Sequence, residues 1–319
     1  VVVVGLQVLA ALCVPCGAAG ATRHLELGAV FTELLLVHET DNDMCQRLLE
    51  AFISFAEDNQ LVRRQLTDEE AIKVFLKLLK RHGKRDVEML ELCVSYVSAL
   101  CNDHDSKHRG VSSSSSSSSV RSRLCQAGLS QLVLSLLIDN MDEERHVSLY
   151  VQLILVLCGG SRDGSTAAGS IAGVGSNLGV FASPSSLKLF LHITKSSPTS
   201  AAISSAMCSL MTALLGALVT STEGEELVSH LQKSTFILEL CTVLSEQKAP
   251  DSQFERAVLE NNLVLASFII NEVQFLRETV VEAGLLSLLR SYVERDGGVY
   301  LSPEVATSVK ESIDIFSTW

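Results

Sequence analysis

The chain has 319 residues, of which 47% are hydrophobic and 19% charged, and its mean hydropathy is +0.31. These values exclude disorder as the main state and favour helices that are buried on more than one side. The formal net charge of −12 opposes nucleic acid and anionic membranes as general partners, because both need a cationic protein surface. A basic or neutral protein partner fits this charge better.

The nine cysteines sit mostly inside apolar runs and lack the dense, regular spacing of a secreted disulfide framework. This pattern predicts buried thiols in a reducing compartment. We therefore expect a cytoplasmic location, with nuclear or cytoskeletal association as alternatives.

The first 21 residues are apolar and carry no charge before Arg23. They lack a basic n-region, and Pro15 and Gly17 interrupt the apolar run. We expect a repeat helix here and no integral membrane segment. The alternative is a targeting segment, which would make the protein a membrane-associated scaffold.

Two kinds of apolar segment recur along the chain. One kind begins near Leu27, Glu70, Ala127, Ser185, Ser234 and Ala283. The other predicts longer helices over 44–56, 88–100, 146–157, 201–218 and 254–269. The register marks Gly28, Ala71, Gly128, Ser186, Thr235 and Gly284 are separated by 43, 57, 58, 49 and 49 positions. The chain therefore reads as one repeat domain over 1–319, either whole or part of a longer array.

Two of these spacings are long because they contain low-complexity tracts. Residues 102–122 include VSSSSSSSSV, and residues 159–183 are rich in Gly and Ser. Such tracts bury little apolar surface, so both are predicted to be flexible loop insertions. Removing about fourteen positions from each restores a period in the forties, which is typical of helical repeats.

Helix-end signals support an all-α fold. Thr67 and Glu70 have the spacing of a capping box, and Pro303 follows Ser302 as a first helical residue would follow its N-cap. In the last repeat, Leu288 is expected to be buried. Alternation with period 2 is scarce, so a sheet is not expected.

The segments NQLVRR (59–64), NEVQFLR (271–277), VEAGLLSLL (281–289) and CQAGLSQLVLSLL (125–137) resemble the armadillo-repeat family. Ser54-Phe55 aligns with Ser267-Phe268, and Arg64 aligns with Arg277. The resemblance implies a right-handed α-solenoid of about six armadillo-like repeats with two loop insertions. It also implies a non-enzymatic scaffold or adaptor that binds proteins through its groove or terminal faces, within a larger complex.

In this family, ligands lie along the last helix of each repeat. The resemblance therefore implies candidate protein-binding residues at polar positions of the longer helices: Arg47, Glu50, Ser54, Glu91, Ser95, Ser98, Gln152, Glu255 and Asn262. The Trp and Asn ladder of nuclear import adaptors is missing, since the one tryptophan is Trp319. Import-signal recognition by that mechanism is not expected.

A basic stripe stands out against the acidic background. It comprises Lys73, Lys77, Lys80, Arg81, Lys84 and Arg85. One interpretation is a site for an acidic peptide or a phosphate, or a nuclear localisation patch; the other is a solvated helix face.

Three motifs raise the rival hypothesis of a metal- or nucleotide-dependent regulator. They are the CxxC at Cys13 and Cys16, the cluster of Cys101, His104 and His108, and the glycine-rich GVGSNLG at 173–179. Each lacks the partners that would define a site, such as a second CxxC or a terminal GK[ST]. We expect no enzyme activity, cofactor, metal or small-molecule substrate.

Overall fold

The computed structural model describes residues 27–57, 60–101, 114–158, 179–196, 201–220, 225–247, 250, 252–294 and 301–317. Every regular element within these ranges is a helix. The chain divides into two compact units, 1–165 and 166–319. The prediction of one continuous domain stays a prediction.

Unit 1 contains eight helices in its described part: α1 (Leu27–Val37), α2 (Asn42–Glu57), α3 (Gln60–Leu66), α4 (Glu69–His82), α5 (Val87–Cys101), α6 (Ser114–Gln126), α7 (Leu129–Asp139) and α8 (Glu144–Leu157). The long helices α2, α5 and α8 pack side by side, and we call them the third-helix layer of unit 1. Helices α1, α4 and α7 form the second-helix layer behind them.

The helices of the third-helix layer run parallel. Near the start of α5, Asp86 accepts hydrogen bonds from Asn42 and Gln46, which lie in the first turns of α2. Beyond its other end, Arg121 donates to Cys101 O at 3.3 Å and Val156 O at 3.1 Å, which are the last turns of α5 and α8. Neighbouring third helices therefore begin at one edge of the layer and end at the other.

Aliphatic side chains and a few large rings hold the two layers together. Tyr96 of α5 stacks on Phe31 of α1 at 5.5 Å between centroids and contacts Phe75 of α4 at 4.9 Å. All three rings are buried. Fully burying one side chain of this kind contributes about 1.5–3 kcal/mol. Because the rings come from different helices, each repeat is stabilised mainly by packing against its neighbours.

Unit 2 repeats the arrangement with α9 (Pro184–Ser196), α10 (Ala201–Thr220), α11 (Glu225–Gln232), α12 (Phe236–Glu246), α13 (Gln253–Glu272), a 3₁₀ turn (Gln274–Leu276), α14 (Arg277–Glu282), α15 (Leu285–Glu294) and α16 (Pro303–Ser317). Helices α10, α13 and α16 form its third-helix layer, and α9, α12 and α15 its second-helix layer. In both units a tyrosine hydroxyl binds near the end of a second helix, from a third helix in unit 1 and from a second helix in unit 2. Tyr150 donates to Gly83 O at the end of α4, and Tyr292 donates to Leu244 O near the end of α12.

The predicted helices agree with the observed ones to within about three residues, a normal scatter for helix ends. The five longer segments are α2, α5, α8, α10 and α13, and the six shorter ones are α1, α4, α7, α9, α12 and α15. Gly128 and Gly284 have φ values of +97° and +74°, a left-handed conformation that glycine adopts without strain just before α7 and α15. The all-α repeat prediction is confirmed.

Both predicted loop insertions are too long. Helix α6 begins at Ser114, so 114–122 of the predicted 102–122 loop are helical. Phe181 and Ala182 are fully buried, so the end of the predicted 159–183 loop belongs to the core of unit 2. The remaining residues of both insertions, 102–113 and 159–178, lie outside the described ranges.

One of the helix-end predictions is confirmed and another is wrong. Pro303 is the first residue of α16, as predicted. The capping box is wrong, because α4 begins at Glu69 and the Thr67 hydroxyl donates backwards to Arg63 O and Arg64 O at the end of α3. Leu288 is half-buried, whereas its neighbour Leu289 is fully buried.

Helix α10 is 20 residues long and apolar enough to cross a bilayer by length and composition. Half of its apolar window is buried, and it packs between α9 and α13. It therefore has the environment of a core helix in this fold. The membrane alternative rested on residues 1–21, which lie outside the described part of the chain.

Candidate protein-binding face

One side of helix α5 has no neighbour among the described helices. The helix has α2 and α8 on its flanks and the second-helix layer behind it. Its accessible polar side chains are spaced three or four residues apart, at Glu88, Glu91, Ser95 and Ser98. This spacing places them on one stripe of the helix.

The same 3–4 spacing of accessible side chains occurs in both neighbouring helices. In α2 the stripe is Arg47, Glu50 and Ser54, and in α8 it is Arg145, Ser148 and Gln152. We call the three stripes together the unit 1 face; its residues are Arg47, Glu50, Ser54, Glu88, Glu91, Ser95, Ser98, Arg145, Ser148 and Gln152.

Parallel packing brings equivalent positions of the stripes into rows across the layer. The three helices start at Asn42, Val87 and Glu144, so one row contains Glu50, Ser95 and Gln152, and the row one turn earlier contains Glu91 and Ser148. Neighbouring axes in such packing lie about 8–10 Å apart. An extended segment that crosses the helices would therefore follow one row and meet a new side chain of that row every few residues.

The serines of α5 are already bound to their own helix. Ser95 Oγ donates to Glu91 O at 2.9 Å, and Ser98 Oγ donates to Val94 O at 2.8 Å. Their hydroxyl oxygens keep lone pairs that can accept hydrogen bonds from the N–H groups of a bound chain.

The carboxylates of the unit 1 face take no part in the ion pairs of the described structure. Glu50, Glu88 and Glu91 make no ion pair within the described residues, although all three are exposed. The observed ion pairs instead involve residues of α4, α7, α9 and α12, or the turns beside them. The ion pairs of the described residues therefore lie on or beside the second-helix layers.

The basic stripe is largely used by the chain itself. Lys73 pairs with Glu69 at 2.8 Å and Glu70 at 3.1 Å within α4. Lys77 and Arg81 both contact Glu39, at 2.5 and 3.1 Å, and this contact holds the pKa of the Glu39 carboxyl below its usual range. These contacts favour a solvated helix face with structural ion pairs over a partner site.

The rest of the basic stripe follows the turn after α4. Lys84 contacts Asp139 of the next repeat at 3.0 Å. Lys80 and Arg85 are exposed and make no ion pair within the described residues. The stripe therefore links neighbouring repeats at three of its six positions, Lys77, Arg81 and Lys84.

Unit 2 has equivalent stripes of different character. They are Ser209, Thr212 and Gly216 on α10, and Asn261, Val264 and Phe268 on α13. A Cβ built on Gly216 would lie 3.5 Å from the Phe268 ring, so the two stripes are adjacent. None of these six residues is charged.

Two predicted binding residues do not belong to these stripes. Asn262 is fully buried, accepts from Cys208 Sγ at 3.5 Å and donates to Gln247 Oε1 at 3.2 Å, so its prediction as a groove residue is wrong. Glu255 is exposed in the first turn of α13, where its backbone N–H donates to the N-cap Ser252, and it lies off the stripe. The other seven lie on the unit 1 face.

The sequence analysis missed several residues of the stripes. These are Glu88, Arg145, Ser148, Ser209, Thr212, Gly216, Asn261, Val264 and Phe268. The signal that could have found them is positional, because the 3–4 spacing of Arg47, Glu50 and Ser54 is repeated at offsets of 41, 98, 162 and 214.

The described cysteines offer no reactive group. Seven described cysteines are buried and form no disulfide: Cys45, Cys93, Cys101, Cys125, Cys158, Cys208 and Cys241. Burial raises the pKa of the Cys45 and Cys241 thiols to about 11 and that of Cys208 to about 12, so these thiols stay protonated near neutral pH.

No group of three or more His, Cys, Asp or Glu side chains is placed to hold a metal ion in the described ranges. Cys101 is buried at the end of α5. Its proposed partners His104 and His108, the CxxC at Cys13 and Cys16, and residues 173–178 of the glycine-rich motif lie outside the described residues.

Three solved structures with TM-scores of 0.51 are similar to this chain. One is a designed armadillo repeat protein in complex with the peptide (KR)4; it is 14% identical, and the match covers 90% of this chain and 98% of that one. The other two are engineered proteins, each 12% identical, matched over 92% and 91% of this chain and 99% and 96% of their own. No protein-family model and no curated protein sequence matches. At these identities the likeness establishes the fold alone, which is an armadillo-like repeat fold.

Proposed function

We propose that this protein is a non-enzymatic scaffold that binds an extended segment of a partner protein across the unit 1 face. The observation that carries the proposal is the set of aligned polar stripes on three parallel, adjacent helices. Each stripe faces away from the core, and its repeat spacing suits a chain laid across the helices.

The structural likeness supports this function in outline. A designed protein with the same fold is complexed with a peptide, so the fold can bind a peptide. The partner is a protein, and membership of a multi-protein complex belongs to the same proposal. The free, buried cysteines support a cytoplasmic location for it.

A blocking substitution tests the proposal. Ser95 lies half-exposed in the middle stripe, so Ser95→Trp should obstruct the unit 1 face without entering the core. Gln131→Trp is the matched control, because Gln131 is exposed on α7 in the second-helix layer. Circular dichroism of both variants checks that the helices are intact.

The probe is a displayed library of random 12-residue peptides selected on the full chain. Selected peptides are then synthesised, and their Kd is measured by fluorescence anisotropy. We expect at least about a tenfold weaker Kd with Ser95→Trp and an unchanged Kd with Gln131→Trp. Peptides that bind both variants equally well, or a library that yields no binder, would overturn the proposed function.

A further inference from the structure

We propose that unit 2 binds an amphipathic helix of a partner protein in an apolar trough formed by α10 and α13. The trough belongs to a different unit from the unit 1 face and takes a ligand of a different conformation. The inference therefore goes beyond the proposed function and rests on no part of it.

Helices α10 and α13 are parallel and level with each other. Cys208 Sγ of α10 donates to Asn262 Oδ1 of α13 at 3.5 Å. About two turns further along both helices, a Cβ built on Gly216 would lie 3.5 Å from the Phe268 ring. Both helices are 20 residues long, and they begin 52 positions apart. Residues separated by 52 positions therefore lie side by side.

Each of the two helices carries a complete stripe of accessible side chains with 3–4 spacing. The stripe of α10 is Ala202, Ser205, Ser209, Thr212, Gly216 and Val219, and the stripe of α13 is Phe254, Ala257, Asn261, Val264 and Phe268. This spacing places each stripe on one side of its helix. We call these residues together the unit 2 trough. None of them is charged, and α10 contains no charged residue anywhere along its length.

The two sides of the unit 2 trough differ in height. The large apolar side chains belong to α13, where Phe254 and Val264 are each 47% exposed and Phe268 is half-buried. On α10, Ala202 lies beside Phe254 and Gly216 lies beside Phe268. Glycine and alanine allow the backbone of a ligand to approach closely. A helix that lies along α10 would therefore pack sideways against the large side chains of α13.

The exposed apolar side chains of the unit 2 trough form one patch. Val219, Phe254 and Val264 are exposed on adjacent stripes, in a chain with a formal net charge of −12. Single apolar residues on a surface need no partner, whereas a contiguous apolar patch with a polar rim marks an interaction site. The patch therefore indicates a ligand with an apolar side.

The unit 2 trough ends at an acidic helix. Helix α16 packs beside α13, where Ser302 N donates to Glu260 Oε1 at 2.6 Å and Asn271 Nδ2 donates to Ser312 Oγ at 3.0 Å. The exposed residues of α16 with 3–4 spacing are Glu304, Thr307, Glu311 and Asp314. An apolar segment that crossed the helices would therefore leave the uncharged surface after α13.

Along the helix axes the uncharged surface is much longer. From Phe254 to Phe268 the trough spans 14 residues, which is about 21 Å at 1.5 Å per residue. A ligand helix parallel to α10 would remain on uncharged surface for about four turns. The shape of the trough therefore favours a helix that lies along it over an extended chain that crosses it.

These features define the chemistry of the partner. Its helix has at least about four turns, with apolar side chains at 3–4 spacing on the side that enters the trough and polar side chains on the opposite side. The edge of this helix that faces α16 carries no acidic residue, because Glu311 and Asp314 would repel it.

The test uses the full chain and two lysine variants. Val264→Lys places a charge in the middle of the unit 2 trough. Leu238→Lys is the matched control, because Leu238 is 54% exposed on α12 in the second-helix layer of the same unit. Both variants exchange an exposed aliphatic side chain for Lys, so a general effect of charge or apolar surface would appear equally in each. Thermal melts followed by circular dichroism check that both are folded.

The probe is a displayed library of random 18-residue peptides. It is selected on the wild type in the presence of excess soluble Val264→Lys protein, which removes peptides that bind elsewhere. We expect apolar residues to be enriched at 3–4 spacing, and the synthetic peptides should gain helical circular dichroism on binding. Their Kd should be at least about tenfold weaker with Val264→Lys and unchanged with Leu238→Lys. A proline in the middle of the peptide should weaken the Kd by at least about tenfold, because it interrupts a helix.

Several results would overturn the inference. One is a selection that yields no peptide, and another is a set of peptides with alternating apolar residues that tolerate the central proline, since the occupant would then be extended. A wild-type dimer in analytical ultracentrifugation that Val264→Lys abolishes would identify a second copy as the occupant. Phosphatidylcholine vesicles that bind the wild type but not Val264→Lys would identify a membrane. All of these results concern unit 2 and leave the proposed function of the unit 1 face to its own test.

Discussion

Arg63 and Arg64 are adjacent in sequence but have opposite environments. Arg63 is buried, and its Nη1 donates to Ala56 O at 2.8 Å and Glu57 O at 3.0 Å. Arg64 is exposed on the other side of α3. Arg63 thus satisfies carbonyls at the end of α2 that have no partner within the helix.

Replacing Arg63 by Met should destabilise the protein. The change keeps an apolar side chain of similar length but leaves two carbonyl groups at the end of α2 without their donor. We expect the free energy of unfolding to fall by about 2–3 kcal/mol, because hydrogen bonds to charged groups contribute more than neutral ones. The same change at exposed Arg64 should alter it by less than about 0.5 kcal/mol.

Urea unfolding followed by circular dichroism measures both changes. Equal effects at the two positions would contradict the capping role. A large loss at Arg64 alone would mean that the sequence alignment, which paired Arg64 with Arg277, had identified the structural arginine correctly.

A slip of one residue in the sequence alignment explains its main errors. It paired Ser54 with Ser267, at an offset of 213, whereas the accessible stripes match at 214 and pair Ser54 with Phe268. At 214, Asn262 corresponds to buried Leu48, and Arg277 corresponds to Arg63. Residue type could not reveal the slip, because serine, asparagine and arginine are expected at accessible positions.

At the scale of the element, helix α6 shows how composition can mislead. Six of its 13 residues belong to the serine tract, and serine alone favours turns and caps. The second half of the helix supplies the packing contacts that the serine tract lacks. Val120 and Leu124 are buried, and Arg121 donates to the ends of α5 and α8. Packing of that half lets the helix extend back to Ser114.

Proline substitutions test the helical serine tract. Ser118→Pro removes a backbone donor inside α6 and should cost up to about 3 kcal/mol, whereas Ser114→Pro at the first helical position should be tolerated. Thermal melts of the two variants give the comparison. Two unchanged melts would restore the flexible-loop interpretation of this segment.

The ion pairs that join Lys77 and Lys84 to other repeats could not be predicted from the sequence of α4. The spacing of Lys73, Lys77, Lys80 and Lys84 correctly predicts one accessible stripe on the helix and the turn that follows. Their partners Glu39 and Asp139 lie in other repeats, 38 and 55 residues from Lys77 and Lys84. A local pattern indicates which side of a helix is accessible, but only tertiary packing decides which charged residues of other repeats contact that side.

At the scale of the whole molecule, the repeat fold was predictable because the same apolar period recurs along the chain. Each copy of the repeat adds evidence for the same apolar period, so a misplaced helix boundary in one copy does not change the predicted architecture. The binding face was less predictable. It depends on which polar residues of different copies share a row, and a shift of one position exchanges an accessible side chain for a buried one.

Residues 1–165 should fold and bind without the rest of the chain. The unit 1 face lies wholly within this unit, and the described part of the unit contains both layers that bury its core. We expect a cooperative thermal transition and the same Kd for selected peptides as in the full chain, with residues 166–319 as the matched control that does not bind these peptides. Loss of helical circular dichroism in the isolated unit would contradict this.

The parallel packing of α2, α5 and α8 has an electrostatic consequence. Each helix has a macrodipole equivalent to roughly half a positive charge at its start and half a negative charge at its end, so in a parallel layer partial charges of one sign gather at each edge. One edge of the layer therefore holds Asp41 and Asp86, which accept from Met44 N and Met89 N in the first turns of α2 and α5. The other edge holds Arg63 and Arg121. The stability of each repeat thus depends on where its charges stand along the helix axis, as well as on the apolar surface that it buries.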